Sequence, residues 1–203
     1  LFIVPGNNDT RRRGISFPKN LVLEDALAIS NQVPTVKKVA PQISANEIVQ
    51  SNSKSLNISI AGVTPEFLNV RSFEVDKGRF LSQSDLNSAR SFVVIGPDLK
   101  DEFFKNKSTS LGEKIRIKDH TYEIIGILKP KGAVFGSNQD KNAYIPLTTM
   151  VNRITGKDPT YGVSLSFISV EAKNKKVTSA AKFQITNLLR QRHKVIRDDD
   201  FAV

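Results

Sequence analysis

Two histidines, one run of three aspartates and one Glu-Asp pair are the residues that could support acid–base or metal chemistry in this chain. His120 follows Asp119 at an expected hairpin turn. No serine-nucleophile motif accompanies it, so it reads as a turn residue. His193 falls at the end of the longest expected helix, where the helix dipole favours a cation. Asp198-Asp199-Asp200 has the composition of a metal site but not its geometry. Consecutive residues of an extended chain point to alternate sides, so the run reads as a solvated acidic turn. Glu24-Asp25 suits the positively polarised start of a helix better than a catalytic carboxylate pair. There is no GxxxxGK[ST] phosphate loop and no GxSxG elbow. The absence of Cys removes disulfides, thiolate metal sites and a cysteine nucleophile. These residues predict a protein that is not an enzyme and needs no cofactor or metal.

The surrounding chain must then be read for what it positions. It has 203 residues, enough for one large or two small domains with a buried core, and its hydrophobic fraction of 39% with 25% charged residues is that of a globular protein. No stretch of about 18 apolar residues could span a bilayer. The abrupt apolar start, Leu1-Phe2-Ile3-Val4, with no initiator Met, reads as a piece of a longer protein. The net charge of +10 is spread along the chain: 7 basic against 4 acidic residues in 1–62, 14 against 11 in 63–155, and 9 against 5 in 156–203. Only Arg11-Arg12-Arg13 and the segment Lys173 to Lys176 are clustered. That dispersion argues against a nucleic-acid face and for a solvated basic surface near anionic lipid or an acidic partner.

Periodicity gives the elements. Leu1 to Val4 is an expected strand, followed by a polar loop from Asn7 to Gly14. Leu23 to Val33 is an expected helix, with Leu23, Ala26, Leu27 and Ser30 on one face and Pro34 as its stop. Val36 to Val39 and Ile43 to Gln50 read as extended, and Leu56, Ile58 and Ile60 alternate as a half-buried strand beyond a turn at Ser51 to Ser55. Thr64-Pro65-Glu66 reads as a helix start with Thr64 as N-cap. Phe73 to Phe80 reads as irregular. Ser91 to Gly96 is a buried strand, Pro97 to Phe104 a helix, and Ile115 to Lys118 and Thr121 to Leu128 a strand pair. Ala143 to Pro146 is a strand, with a helical turn from Thr148 to Arg153. Val163, Leu165, Phe167 and Ser169 alternate as a strand. Thr178 to Arg192 is the strongest helix, and Phe201 to Val203 a last strand. The outer segments therefore each read as strand–helix–strand around a mixed middle unit. The fold class is α+β, a split β-α-β/β-α-β unit with an inserted mixed α/β subdomain. The expected division is 1–62 with 157–203, and 63–156.

The middle segment carries a resemblance. "GVTPEFLNVRSFEVDKGRFLSQSDLNSARSFVVIG", Gly62 to Gly96, is similar to the periplasmic core domain of macrolide-exporter-type ABC transporter permeases. Leu111-Gly112-Glu113 with Ile115, Ile117, Tyr122 and Ile124-Ile125-Gly126-Ile127-Leu128 resembles the strand pair of that family. Phe135-Gly136-Ser137, Ile145-Pro146, Thr148-Thr149, Arg153 and Gly156 resemble its next motif. Two local features depart from the pattern: Val22 stands where the family often has Thr or Ser as N-cap, and the loop from Asn7 to Lys19 is longer.

The resemblance implies a domain between the first two helices of a four-helix permease, on the periplasmic side of the inner membrane. It implies a porter-like part from the outer segments and an inserted sabre-like part. The implied role is non-catalytic: motion from cytoplasmic ATP hydrolysis reaches a periplasmic adaptor protein and, through it, an outer-membrane channel. A homodimer in the full-length transporter is also implied, and no nucleic-acid partner. Candidate partner-binding residues are Ser51, Lys54, Lys107, Lys131, Phe135, Gly136 and Ser137, on polar loops expected opposite the chain ends. For Phe135, a buried plug is favoured over an exposed contact. The alternatives are a free module for an anionic ligand (lipid headgroup, polysaccharide or nucleic acid) and the equivalent domain of a lipoprotein-releasing permease.

Overall fold

The computed structural model describes residues 1–6, 20–51, 53–105, 110–134, 137–195 and 198–203. The Arg11-Arg12-Arg13 cluster and the loop from Asn7 to Gly14 lie outside the described residues. The chain runs through β1 (Phe2–Pro5), α1 (Leu23–Gln32), β2 (Val36–Ser51), β3 (Lys54–Val63), α2 (Phe67–Val70), β4 (Val75–Gly78), α3 (Gln83–Asn87), β5 (Phe92–Ile95) and α4 (Pro97–Phe104). It continues through β6 (Lys114–Ile117), β7 (His120–Leu128), β8 (Ala133–Val134), β9 (Ser137–Asn138), β10 (Ala143–Pro146), α5 (Leu147–Met150), β11 (Phe167–Ala172), α6 (Thr178–His193) and β12 (Phe201–Ala202). A π-helical turn, Val151–Thr155, extends α5.

The fold divides into two compact units, Leu1–Ile43 with Lys157–Val203, and Ser44–Gly156. The boundary falls at Ile43 rather than at 62. The second half of β2 and the whole of β3 pair with strands of the middle segment: β3 runs parallel to β10, and β2 pairs with β6.

In the first unit the strand order is β12-β1-β11-β2, all antiparallel. Counted within the unit this is 4-1-3-2, the order of a split β-α-β fold. Ala181, Ile185 and Leu189 recur at i, i+4 and i+8 on α6 and are buried. On α1 the buried face is centred on Ala26, Ile29 and Val33. Leu27, expected on that face, is 55% exposed, and Asp25 takes a buried position instead. The two runs expected around Pro41 form one strand, with Pro41 opposite Ile168. The alternation expected from Val163 to Ser169 breaks. Val163, Leu165 and Ser169 are buried as that alternation requires, but Ile168 and Val170 are buried too, so β11 covers both of its faces at its centre.

In the second unit the strands run β2-β3-β10-β5-β7, and β6 pairs with both β7 and β2, which closes a ring of six. Strand β4 extends the far half of β7. Strand β5 is parallel to β7, and Val93, Val94 and Ile95 are all buried, as both faces of a parallel strand require. Three local expectations need correction. Thr64 does not cap α2 through its side chain. Its carbonyl accepts from Phe67 N at 3.1 Å, because Pro65 and Glu66 form a turn before the helix begins. The segment Phe73 to Phe80 holds β4, which pairs with β7 despite a register shift. Helix α3 was not anticipated, although Ser82 and Asp85 form a capping box that announces it. Burial alone would raise the Asp85 carboxyl. Hydrogen bonds from Arg79 (2.5 and 3.2 Å) and from Ser82 outweigh that and bring it to about 2.

Gly96, the N-cap of α4, is where two backbones meet. A Cβ there would lie 2.2 Å from the Asp140 carbonyl oxygen and 2.6 Å from its carbon. Gly96→Ala is expected to lower stability by about 1–3 kcal/mol through backbone displacement. The readout is a lower midpoint in urea with an unchanged slope.

Candidate functional site

Residues that looked inert separately in the sequence are joined in the first unit. Asp25 stands at the third position of α1, and its Oδ2 accepts from Val22 N at 3.0 Å. This is the reciprocal half of a capping box; Val22 has no side-chain oxygen to supply the other half, and Asp25 N donates to the Val22 carbonyl at 3.0 Å instead. Arg192 Nε donates to Asp25 Oδ1 at 2.7 Å, and His193 Nε2 lies 3.0 Å from Asp25 Oδ2. The other ring nitrogen, Nδ1, lies 2.8 Å from Asp200 Oδ1, and Phe201 meets the imidazole edge-on. Asp200 also accepts through its carbonyl, from Gly6 N and from Asn20 Nδ2, both at 2.7 Å. Arg190 holds Asp199 with two bonds, 2.7 and 2.9 Å. The acidic run is thus not a free solvated turn. Two of its three members are paired to the end of α6, because Lys194 turns the chain back in a left-handed conformation.

The network joins both helices to the two strands that carry the chain ends. Those strands are adjacent: Val4 stands opposite Ala202, and Pro5 opposite Phe201. His193 is raised to about 8, chiefly by its hydrogen bond to Asp25. Burial opposes the shift and Asp200 adds to it. Burial would raise Asp25, but hydrogen bonds from His193, Arg192 and the Val22 N–H hold it below the usual carboxylate range. The arrangement is an ion cluster in which both ring nitrogens face carboxylates, and it ties α1, α6 and the last strand together.

In the second unit the segment 131–140 is held at its base. Asp140 Oδ1 and Oδ2 accept from Lys131 N and Gly132 N at 2.8 and 2.9 Å. Lys131 Nζ donates to the Arg71 and Ser72 carbonyls at 2.5 and 2.6 Å and lies 4.3 Å from the centroid of Phe73. Its ammonium therefore caps the end of α2, where Ser72 adopts φ 52. Burial, then the nearby Arg71 charge, lowers its pKa. Beneath it Phe67, Phe73, Phe80 and Tyr144 pack ring to ring, with Phe67–Phe73 and Phe67–Tyr144 centroids both 5.3 Å apart. Burial raises Tyr144 to about 12.

The expected partner-binding residues fall in different settings. Ser51 is buried, at 6% exposure, and donates to the Lys114 carbonyl at 3.3 Å, so it is not a surface contact. Lys54 is exposed and donates to the Glu102 carbonyl near the end of α4. Lys131 is a structural cap rather than a free loop charge. Ser137 pairs with Val134 in the β8–β9 hairpin, and its neighbour Asn138 donates to Asp98 on α4 at 2.9 Å. Lys107, Phe135 and Gly136 lie outside the described residues. The Lys54 turn and the β8–β9 hairpin thus share α4 as a support. The Asp25–His193–Asp200 cluster was missed. Its one sequence signal was an aspartate on the apolar side of α1, with a histidine seven positions before an acidic residue.

Known proteins extend the picture. The MacB-like periplasmic core domain family matches residues 1–188. The macrolide export ATP-binding/permease protein MacB of Shewanella sp. (strain W3-18-1) is 31% identical over 185 residues, covering 91% of this chain and 27% of that protein. MacB of Neisseria meningitidis serogroup B (strain MC58) is 29% identical over 191 residues, covering 94% and 28%. The chain thus spans about a quarter of the length of these relatives. The crystal structure of the periplasmic region of MacB from Actinobacillus actinomycetemcomitans superposes with a TM-score of 0.83 at 26% identity, over 99% of this chain and 86% of that one. The extracellular domain of the noncanonic ABC-type transporter YknZ from Gram-positive bacteria shares the fold, with a TM-score of 0.79 at 17% identity over 100% and 98% of the two chains.

Three outcomes are expected, at His193, Lys131 and Lys54. A histidine whose folded pKa is raised adds stability below its unfolded value, near 6.5, and loses it as pH rises through about 8. The melting temperature is expected to fall between pH 6.5 and about 8.5, as a stabilising contribution on the order of 2 kcal/mol is lost. His193→Gln flattens that slope, and an unchanged slope would remove the histidine from the account. Lys131→Glu, which leaves two carbonyls uncapped and sets a carboxylate against Phe73, is expected to cost about 2–3 kcal/mol in denaturant unfolding. Exposed Lys54→Glu is expected to stay within about 0.5 kcal/mol of the parent.

Proposed function

This chain belongs to the MacB-like periplasmic core domain family of ABC transporter permeases, and from that premise we propose that it is a non-catalytic module that carries motion from cytoplasmic ATP hydrolysis to a periplasmic adaptor protein and an outer-membrane channel. The observation that supports this most is the antiparallel pairing of the first and last strands. Two adjacent strands leaving one edge of a sheet suit two adjacent membrane helices. The Asp25–His193–Asp200 cluster ties the same edge to both helices of the first unit. A displacement of the chain ends then moves the unit as a body, since packed elements shift rather than deform. The adaptor grip falls on exposed groups supported by α4, with Lys54 the leading residue. Such polar loops suit a wet, reversible interface.

The test uses the full-length permease. A flexible Gly-Ser insertion of about ten residues beyond Val203 should abolish export while preserving basal ATP hydrolysis, because a slack coil transmits no displacement. Export at the parental rate would overturn the mechanical reading. For the grip, Lys54→Glu should weaken adaptor capture by light-scattering titration without altering the melt. Unchanged capture would move the grip away from this turn.

A further inference from the structure

A cleft of about 420 Å³ opens in the second unit, between the loop after α3, the start of β5, the solvent face of β6–β7 and the π-helical turn. Arg90, Lys114 and Arg153 line it, against one carboxylate, Glu123. Among the described residues none of the three cations forms an ion pair with a carboxylate. Lys114 stands opposite Glu123 in the β6–β7 ladder, yet the two are not in salt-bridge contact.

The cleft is held open by bonds that converge on one loop. Thr148 Oγ1 donates to the Leu86 carbonyl at 2.5 Å and Thr149 Oγ1 to the Arg90 carbonyl at 2.9 Å. Arg153 Nη1 donates to Ser91 Oγ. Three side chains from α5 and its π-helical turn thus fix the segment that carries Arg90. Ala89, at the rim, holds φ 44, the left-handed turn that ends α3, with Arg90 N donating to the Asp85 carbonyl at 3.0 Å. Single π-helical turns recur where a fold positions groups for a ligand. A packing role would leave the half-buried Arg153 against a carboxylate. Here its guanidinium is oriented by neutral hydroxyls, bonded to Ser91 Oγ and set beside the Tyr122 hydroxyl, so its charge is not neutralised by a carboxylate.

We infer that this cleft binds a small organic oxyanion, a carboxylate or phosphate group on a molecule that also carries hydroxyls. The Arg90 guanidinium offers planar paired donors to such a group, and Lys114 and Arg153 add positive charge. Thr121, Ser88 and Glu123 line the remaining wall and match hydroxyls. The volume lies in the range of small-molecule sites and exceeds a lone inorganic ion. The inference rests on the cleft alone and is independent of the mechanical reading of the domain.

The experiment is calorimetric titration of this chain with citrate, with glycerol 3-phosphate and with neutral glycerol, all at constant ionic strength. Arg90→Gln/Lys114→Gln is the test variant. Lys175→Gln/Lys176→Gln, with the same loss of charge on the other unit, is the control. Thermal melts confirm that both are folded; Arg90 and Lys114 are exposed, so truncating them leaves the core intact. The expected result is binding of one or both anions, retained by the control and weakened by about tenfold or more in the test variant. Which anion binds separates the carboxylate from the phosphate source. If neither anion binds, if glycerol binds as well as they do, or if the control loses as much affinity as the test variant, the site does not exist as described.

Discussion

Strand β6 supplies only four residues, yet both of its edges are hydrogen-bonded, to β7 through four residue pairs and to β2 through Val49 and Gln50. That double pairing is the constraint on which the second unit depends. It turns an open run of strands into a ring and leaves no free edge along the shared registers to recruit another chain. Ile115 and Ile117 point to the inside of the ring and are buried, whereas Lys114 and Arg116 face solvent. The alternation that builds the core therefore also places Lys114 at the mouth of the cationic cleft.

The first unit is organised by a different force. A buried carboxylate on an apolar helix face is costly unless it is paired and hydrogen-bonded. Asp25, with 2% of its side chain exposed, is satisfied by a backbone N–H, a guanidinium and an imidazole. Removing any one partner leaves charge uncompensated, so the end of α6, the start of α1 and the last strand are positioned together. Mechanical coupling would need that property at the edge that holds the first and last strands: few ways to shift one element without the others.

Both units place their charged groups by backbone geometry rather than by long flexible loops. Lys131 is aimed by the Asp140 bonds at its base, and Arg153 by a π-helical turn. The motif residues Thr148, Thr149 and Arg153 have no shared meaning along the sequence. In space all three bond to the segment Leu86–Ser91.

The sequence by itself determined the types of most elements, with β4 and α3 as exceptions, the insertion of a mixed unit within a split one, and the family. Local period, capping and turn chemistry are properties of neighbouring residues and survive without tertiary context, as Pro97 to Phe104 and Thr178 to His193 show. Only the tertiary structure decided that Asp25, His193 and Asp200 meet, that Ser51 is buried, and that Lys131 is a cap. It also set the boundary at Ile43, because the second half of β2 belongs with strands more than sixty residues away in sequence. Such pairings depend on which distant surfaces the folded backbone brings within hydrogen-bond reach, and no local pattern encodes that distance.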